Sequence, residues 1–187
     1  LVTGAAGYLG RTVAERLREQ GWPVLLTSYS GASGRRCDLT DPNAVRDLFA
    51  QSTPSAVIHC AAIVPKTAGD YADENAAGRS VAMITHLSAH APCPIVLASS
   101  MTIYGMAPRC PVREGGDDAP VSAYARGKKA AEGELLARER HGDVAVRLPG
   151  LFGLPRRSGV IYQATRTFLS RGTFQLAPSD GPWAAMT

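Results

Sequence analysis

Tyr124 and Lys128 stand four residues apart, and Ser100 closes an apolar run earlier in the chain. On a helix, positions i and i+4 share a face, so the phenol and the ammonium would point the same way. A free phenol titrates near ~10, too high for a base at neutral pH. A neighbouring ammonium stabilises the phenolate and is expected to lower that value. A serine hydroxyl beside the pair could hydrogen-bond a reacting oxygen. Together the three could exchange a proton with an alcohol or a ketone. Lys129 also follows Tyr124, but only Lys128 has the i+4 spacing. Taken alone, the pair reads equally well as two residues on a solvated helix, and Ser99-Ser100 as a strand end.

A second motif changes that balance. Thr3-Gly4-Ala5-Ala6-Gly7-Tyr8-Leu9-Gly10 joins an apolar strand to an amphipathic helix. In such a turn the first glycine (Gly4) permits the tight bend. The second (Gly7) lets the backbone approach a diphosphate, and the third (Gly10) lets helix and strand pack closely. The open amides and the dipole of the following helix favour negative charge. No GK[ST] follows, so ATP-type phosphate transfer is not supported. A dinucleotide site beside a proton-exchanging group points to hydride chemistry.

The elements that must position these residues follow from periodicity. Val2 ends a first strand. Leu9 to Gln20 reads as a helix with Leu9, Val13, Ala14 and Leu17 on one face, stopped by Gly21. Further strands are expected at Val24 to Thr27, Ala56 to Cys60, Ile95 to Ser99 and Val144 to Leu148, with a short one at Phe174 to Leu176. Helices are expected from Asp41-Pro42 to about Gln51, from Asp73 to His90, from Ser122 to Arg140 and from Gly159 to Ser170. Ser30 to Arg36 and Gly115 to Pro120 read as loops. Short apolar strands alternating with amphipathic helices predict an α/β fold, a doubly wound parallel sheet of the Rossmann type. Residues 1–150 are expected to form its dinucleotide-binding domain, and 151–187 the beginning of an incomplete substrate-binding region.

With 187 residues, 45% of them hydrophobic, the chain can bury one sizeable core. Its net charge of +4 is scattered, apart from Arg35-Arg36 and Arg156-Arg157, and forms no nucleic-acid stripe. No apolar run is long enough to span a membrane. Cys37, Cys60, Cys93 and Cys110 follow no framework and read as reduced thiols of a cytoplasmic protein. His86 and His90 could share a metal, but no third ligand lies nearby, and an exposed helix face is the simpler account. Leu1 has no initiator Met before it and no signal peptide is visible, so the N-terminus is expected to be incomplete.

The glycine motif, together with Ile95-Val96-Leu97-Ala98-Ser99-Ser100-Met101-Thr102-Ile103-Tyr104-Gly105 and Tyr124-Ala125-Arg126-Gly127-Lys128, resembles the extended short-chain dehydrogenase/reductase superfamily. That superfamily includes nucleotide-sugar epimerases, dehydratases and reductases, and the resemblance covers nearly the whole chain. It implies Ser100, Tyr124 and Lys128 as the catalytic group. It implies a cofactor held by Gly4, Gly7, Tyr8, Leu9, Gly10, Asp38, Leu39, Cys60, Ala61, Ala62 and Pro149, and by Tyr124 and Lys128 themselves. Asp38, in a D-L pair, would contact the adenine ring; a helix cap is its plainer alternative. His59-Cys60-Ala61-Ala62 matches a strand end where small residues let the backbone lie against the cofactor. Asn75 matches an Asn with a supporting role. Arg147-Leu148-Pro149-Gly150-Leu151-Phe152-Gly153 resembles R-x-x-N-x-Y-G-P, with Gly150 in place of Asn and Leu154 separating Gly153 from Pro155.

Members that select NAD carry an acid at the end of the second strand. Thr27-Ser28-Tyr29-Ser30 has none, and Arg35 or Arg36 could face a ribose phosphate, so NADP is favoured over NAD. Met101-Thr102 supplies no acidic pair, which disfavours dehydration. Epimerisation or reduction of a nucleotide sugar remains, with epimerisation slightly ahead. The resemblance also implies a homodimer through two helices, with Asp73–His90 and Ser122–Arg140 as candidates. The chain ends where the family's next conserved strand would start. A catalytically inactive NADP-binding sensor or assembly protein is the alternative, although such relatives usually lose the Tyr or the Lys.

Overall fold

The computed structural model describes residues 1–105, 112–116, 118–154, 156–157, 159–173, 175 and 185–186. Six parallel strands form the sheet: β1 (Val2–Thr3), β2 (Leu26–Ser28), β3 (Arg35–Arg36), β4 (Val57–His59), β5 (Ile95–Ser100) and β6 (Val144–Leu148). Their order is β3-β2-β1-β4-β5-β6. The chain winds outward from β1 through β2 and β3, then returns to the other side of β1 to lay down β4, β5 and β6. That reversal opens a crevice between the carboxyl ends of β1 and β4, where ligands of such sheets bind. A separate parallel pair joins β7 (Gly150–Leu151) to β8 (Ala185–Met186).

Helices α1 (Tyr8–Glu19), α2 (Pro42–Ala50), α3 (Glu74–His90), α4 (Ala123–Leu136) and α5 (Val160–Arg171) alternate with the strands. Most start where a side chain can satisfy an open amide. Asp41 accepts from Asn43 N at 2.9 Å, Asp73 from Ala76 N at 2.9 Å, and Ser122 from Ala125 N at 3.1 Å. Pro42 sits in the first turn of α2, where its missing N–H costs nothing. Gly21, at φ +80°, closes α1 as its periodicity predicts.

The core gathers Val45 and Leu48 of α2, Ile84 and Leu87 of α3, Leu135 of α4, and Val57, Ile95 and Leu97 of the strands, all essentially inaccessible. Helices α3 and α4 lie close together because Gly127 faces Ala77. A Cβ added at Gly127 would sit 2.9 Å from that of Ala77.

Two expectations need correction. Arg35 and Arg36 are not loop residues: they pair with Thr27 and Ser28 as a parallel strand. Gly34 makes this possible, since a Cβ there would meet Leu26 O at 2.2 Å. Helix α4 stops at Leu136 rather than Arg140. Arg138 leaves the helical path to donate to Ala91 O and Cys93 O and to pair with Asp143 at 3.3 Å, and Glu139 turns at φ +49°. The Arg138 bonds to the Ala91 and Cys93 carbonyls, far away in sequence, thus outweigh local helix propensity. The strand expected at Phe174 to Leu176 falls largely outside the described residues.

No helix among the described residues is long and apolar enough to cross a membrane.

Candidate active site

The three glycines of the N-terminal turn close on one another and on β4. Gly4 adopts φ +68°, and a Cβ on it would lie 2.6 Å from Ala61 N, so its bareness lets the exit of β4 approach the turn. Gly10 faces the same turn from inside α1, with an added Cβ 2.4 Å from Gly4 O. Gly7 caps α1 without any side-chain hydrogen bond, which leaves the first-turn amides free for another acceptor. Tyr8 reaches across from α1, its hydroxyl donating to Phe152 O at 2.9 Å, and so ties the turn to the segment after β6.

These residues form part of one cavity of about 1240 Å³. Gly4, Gly7, Tyr8, Leu9 and Gly10 line it at the turn, Asp38 and Leu39 beyond β3, and Cys60, Ala61 and Ala62 just past β4. Pro149 lies past β6, with Ser100, Tyr124 and Lys128 at the far wall. The residues expected from the motifs to bind the cofactor or to react therefore border the same space, whereas Arg35 and Arg36, expected to face a ribose phosphate, do not line it. The donor set suits a dinucleotide: uncapped helix amides for a diphosphate, small residues at β4 for close approach, and polar groups at either end.

At the adenine end, the Asp38 carboxylate accepts from Thr40 Oγ1 at 2.7 Å and from Thr40 N at 2.9 Å. The Thr40 hydroxyl holds it below the usual carboxylate range; the Thr40 amide and the Arg79 and Arg36 charges act the same way, against burial. Asp38 thus braces its own turn while bordering the cavity, and the helix cap is Asp41. Ser28 ends β2 in register with Arg36 on β3, and the Arg36 stem passes over Gly31.

At the reacting end, Ser100 Oγ lies 2.9 Å from Thr102 Oγ1 and also beside the Tyr124 phenol, whose ionised form it favours. Tyr71 meets the Tyr124 ring edge-on at 5.7 Å and 82°. Lys128, almost wholly buried, donates from Nζ to Ala98 O at 2.7 Å and stands 6.0 Å from the Tyr124 ring centre.

One electrostatic expectation fails here. The Tyr124 phenol is raised above its ordinary value, because burial outweighs the Ser100 hydrogen bond and the Arg156 charge. Burial also pushes Lys128 itself down to about 8, against the charges of Cys60 and Glu132. A helix places two side chains on one face, but their charges are set by what covers them.

Asn75 is exposed on α3. The backbone beyond β4 is instead held by Ser80, whose Oγ accepts from Ile63 N at 3.2 Å. Tyr71, Arg79, Met83 and Arg156 also line the cavity, and no motif had singled them out. Arg79 and Met83 are four apart on α3, so helical periodicity could have paired them; only the sheet order says that this face meets the cavity. His86 directs Nδ1 to Leu39 O at 3.0 Å, and no cluster of metal-binding side chains exists among the described residues.

His59 lies buried behind the site, its Nδ1 2.8 Å from Thr3 Oγ1. Burial, with the Lys128 charge, pushes it down from 6.5 to about 3. The unfolded chain therefore binds this proton between pH 6.5 and 3 while the folded chain does not, so stability falls as pH drops through that window. From pH 7 to pH 5, urea unfolding should lose roughly 2 kcal/mol from this residue. A His59→Gln variant should show a correspondingly flatter pH dependence.

The profile of the NAD dependent epimerase/dehydratase family matches residues 1–179. Among curated proteins, a probable dTDP-4,6-dihydroxy-2-methyloxan-3-one 4-ketoreductase of Streptomyces antibioticus is 34% identical over 178 residues, covering 91% of this chain and 56% of that one. Methionine adenosyltransferase 2 subunit beta of Xenopus tropicalis is 32% identical over 160 residues, covering 82% of this chain and 47% of that one. Among solved structures, a UDP-galactose 4-epimerase superposes with a TM-score of 0.75 at 26% identity, over 91% of this chain and 62% of that one. The chain spans about half the length of the curated relatives it matches. With a parallel sheet reversing at β1, an uncapped glycine turn at the crevice and a family profile over nearly its whole length, the chain belongs to the NAD dependent epimerase/dehydratase family.

Proposed function

We propose that this chain carries the cofactor-binding and reacting part of an enzyme that moves hydride at a hydroxyl or ketone of a nucleotide sugar, as an epimerase or a reductase. The observation that carries this reading is the meeting of Ser100, Tyr124 and Lys128 on one wall of the cavity that begins at the glycine turn. A bound nicotinamide dinucleotide supplies or takes up the hydride. Tyr124 gives a proton to the substrate oxygen when the ketone is reduced, and takes it back when the alcohol is oxidised. Its raised phenol is protonated at neutral pH, ready for the first direction. Ser100 hydrogen-bonds the same oxygen. Lys128 brings positive charge to that end of the cavity, where a ribose hydroxyl of the cofactor would lie.

The same proposal includes a homodimer built on α3 and α4, in the cytoplasm. NADP is the favoured cofactor, because no carboxylate ends β2 and Arg36 stands in register with Ser28. Fluorescence titration of the full-length protein should give NADPH an affinity at least about tenfold above NADH, a difference that one charged contact can supply. Arg36→Ala should narrow it. Equal affinities would assign the site to NAD.

A second reading, a cofactor-binding subunit of a larger assembly, draws support from the likeness to methionine adenosyltransferase 2 subunit beta. Incubating full-length protein with a panel of UDP-sugars plus NADP+ or NAD+, and with dTDP-4-keto sugars plus NADPH or NADH, separates the two. Cofactor oxidation marks a reductase, and epimer formation without net oxidation marks an epimerase. Binding with neither favours the subunit reading.

A further inference from the structure

Behind the reacting wall lies a cluster of charges that the proposed chemistry does not use. Arg147 of β6, in register with Ser99 of β5, is gripped by two carboxylates. Its Nε donates to Glu132 Oε1 at 3.0 Å and its Nη2 to Glu132 Oε2 at 2.7 Å. Its Nη1 and Nη2 donate to Asp118 Oδ1 and Oδ2 at 2.6 and 3.0 Å. The guanidinium also stacks 4.6 Å from the Tyr104 ring centre. Glu132 accepts a further, short hydrogen bond from Ser99 Oγ, and Lys129 Nζ approaches Asp118 Oδ2 at 3.4 Å.

We propose that Glu132 and Arg147 are a positioning pair for the reacting group. Arg147 fastens the end of β5 to α4 and to the segment leading into it. The inference rests on the assignment of Ser100, Tyr124 and Lys128 as that group.

Each segment that supplies a reacting side chain is tied to this pair. Ser99 precedes Ser100. Tyr104 ends the turn that follows Ser100, Asp118 precedes α4, and Glu132 lies one helical turn beyond Lys128. A fork of N–H donors held by two carboxylates fixes direction as well as distance. Such a frame keeps Ser100 and Tyr124 facing one oxygen, where small misplacements cost rate. A buried carboxylate left without its partners would be costly, so each grip holds the others in place.

Asp118→Asn and Glu132→Gln each remove one grip on Arg147. On whichever UDP-sugar or dTDP-4-keto sugar the full-length protein turns over, each should lower kcat several-fold while KM for the cofactor stays at the parent value. Glu132→Asp, which keeps a carboxylate, should recover part of the loss. Parent-like kcat in folded Asp118→Asn and Glu132→Gln overturns the positioning role, and so does a loss of kcat matched by an equal rise in KM for the cofactor, which would mark a general loosening of the site. If Glu132→Gln does not fold, Asp118→Asn alone carries the test on the same terms. Tyr124→Phe is run in parallel: full turnover there defeats the reaction assignment, while the kcat of the Asp118 and Glu132 variants still judges the frame.

Discussion

Tyr124→Phe should bind cofactor as tightly as the parent and lose turnover by about a hundred- to ten-thousand-fold. The substitution removes one oxygen and little else. The ring keeps its edge-on contact with Tyr71, and Ser100 keeps Thr102 as a hydrogen-bond partner. Lys128 keeps Ala98 O, so the wall of the cavity is otherwise preserved. What disappears is the proton that must reach the substrate oxygen as hydride reaches carbon. Titration of cofactor fluorescence and turnover of a nucleotide-sugar panel, measured on one preparation, check both halves. Because burial raises the phenol, oxidation of an alcohol should speed up with rising pH while ketone reduction should not. Retained turnover in the phenylalanine variant would show that the proton comes from another group.

Gly10→Ala should abolish measurable cofactor binding and destabilise the fold by about 1–3 kcal/mol, the usual range for overpacking a tight contact. The cause is space rather than backbone angle. The new methyl would meet Gly4 O at 2.4 Å, Gly4 C at 2.8 Å and the Ala5 Cα at 3.1 Å, all of them main chain. Main-chain atoms cannot rotate aside, so α1 must move off the turn and carry its uncapped amides out of line with any diphosphate. Gly78 of α3 provides the control. Nothing lies within 4 Å of a Cβ there, so Gly78→Ala should leave binding intact and stabilise the helix by about 0.5–1 kcal/mol. Urea midpoints and cofactor titrations of the two variants should therefore diverge in sign. Tight binding by Gly10→Ala would mean that the cofactor does not depend on the α1 approach.

The contrast between these glycines bears on what a sequence reader can know. Gly10 and Gly78 are both helical glycines, and only the spacing around Gly10 distinguishes them in the sequence. The motif gave Gly10 its packing role correctly, because close helix–strand approach is a local consequence of a short turn. Gly34 lay in a stretch that read as loop, yet it admits β3 against β2. Its role depends on a neighbouring strand whose pairing no local pattern announces. The end of α4 failed for a related reason: Ser122 to Arg140 is a good helical pattern, and the departure is forced by Asp143 and the Ala91–Cys93 carbonyls.

The sequence by itself determined the alternation of strands and helices, the cap at Asp41, the glycine turn and the i+4 pairing of Tyr124 with Lys128. Each depends on contacts within a few residues, which fixed spacing encodes. Only the tertiary structure decided that Ser100 meets Tyr124, that Glu132 and Arg147 stand behind them, and that the phenol is raised rather than lowered. Those outcomes depend on burial and on charges brought from distant segments. The electrostatics of a buried group is set by everything that surrounds it, and no single stretch of chain contains that information.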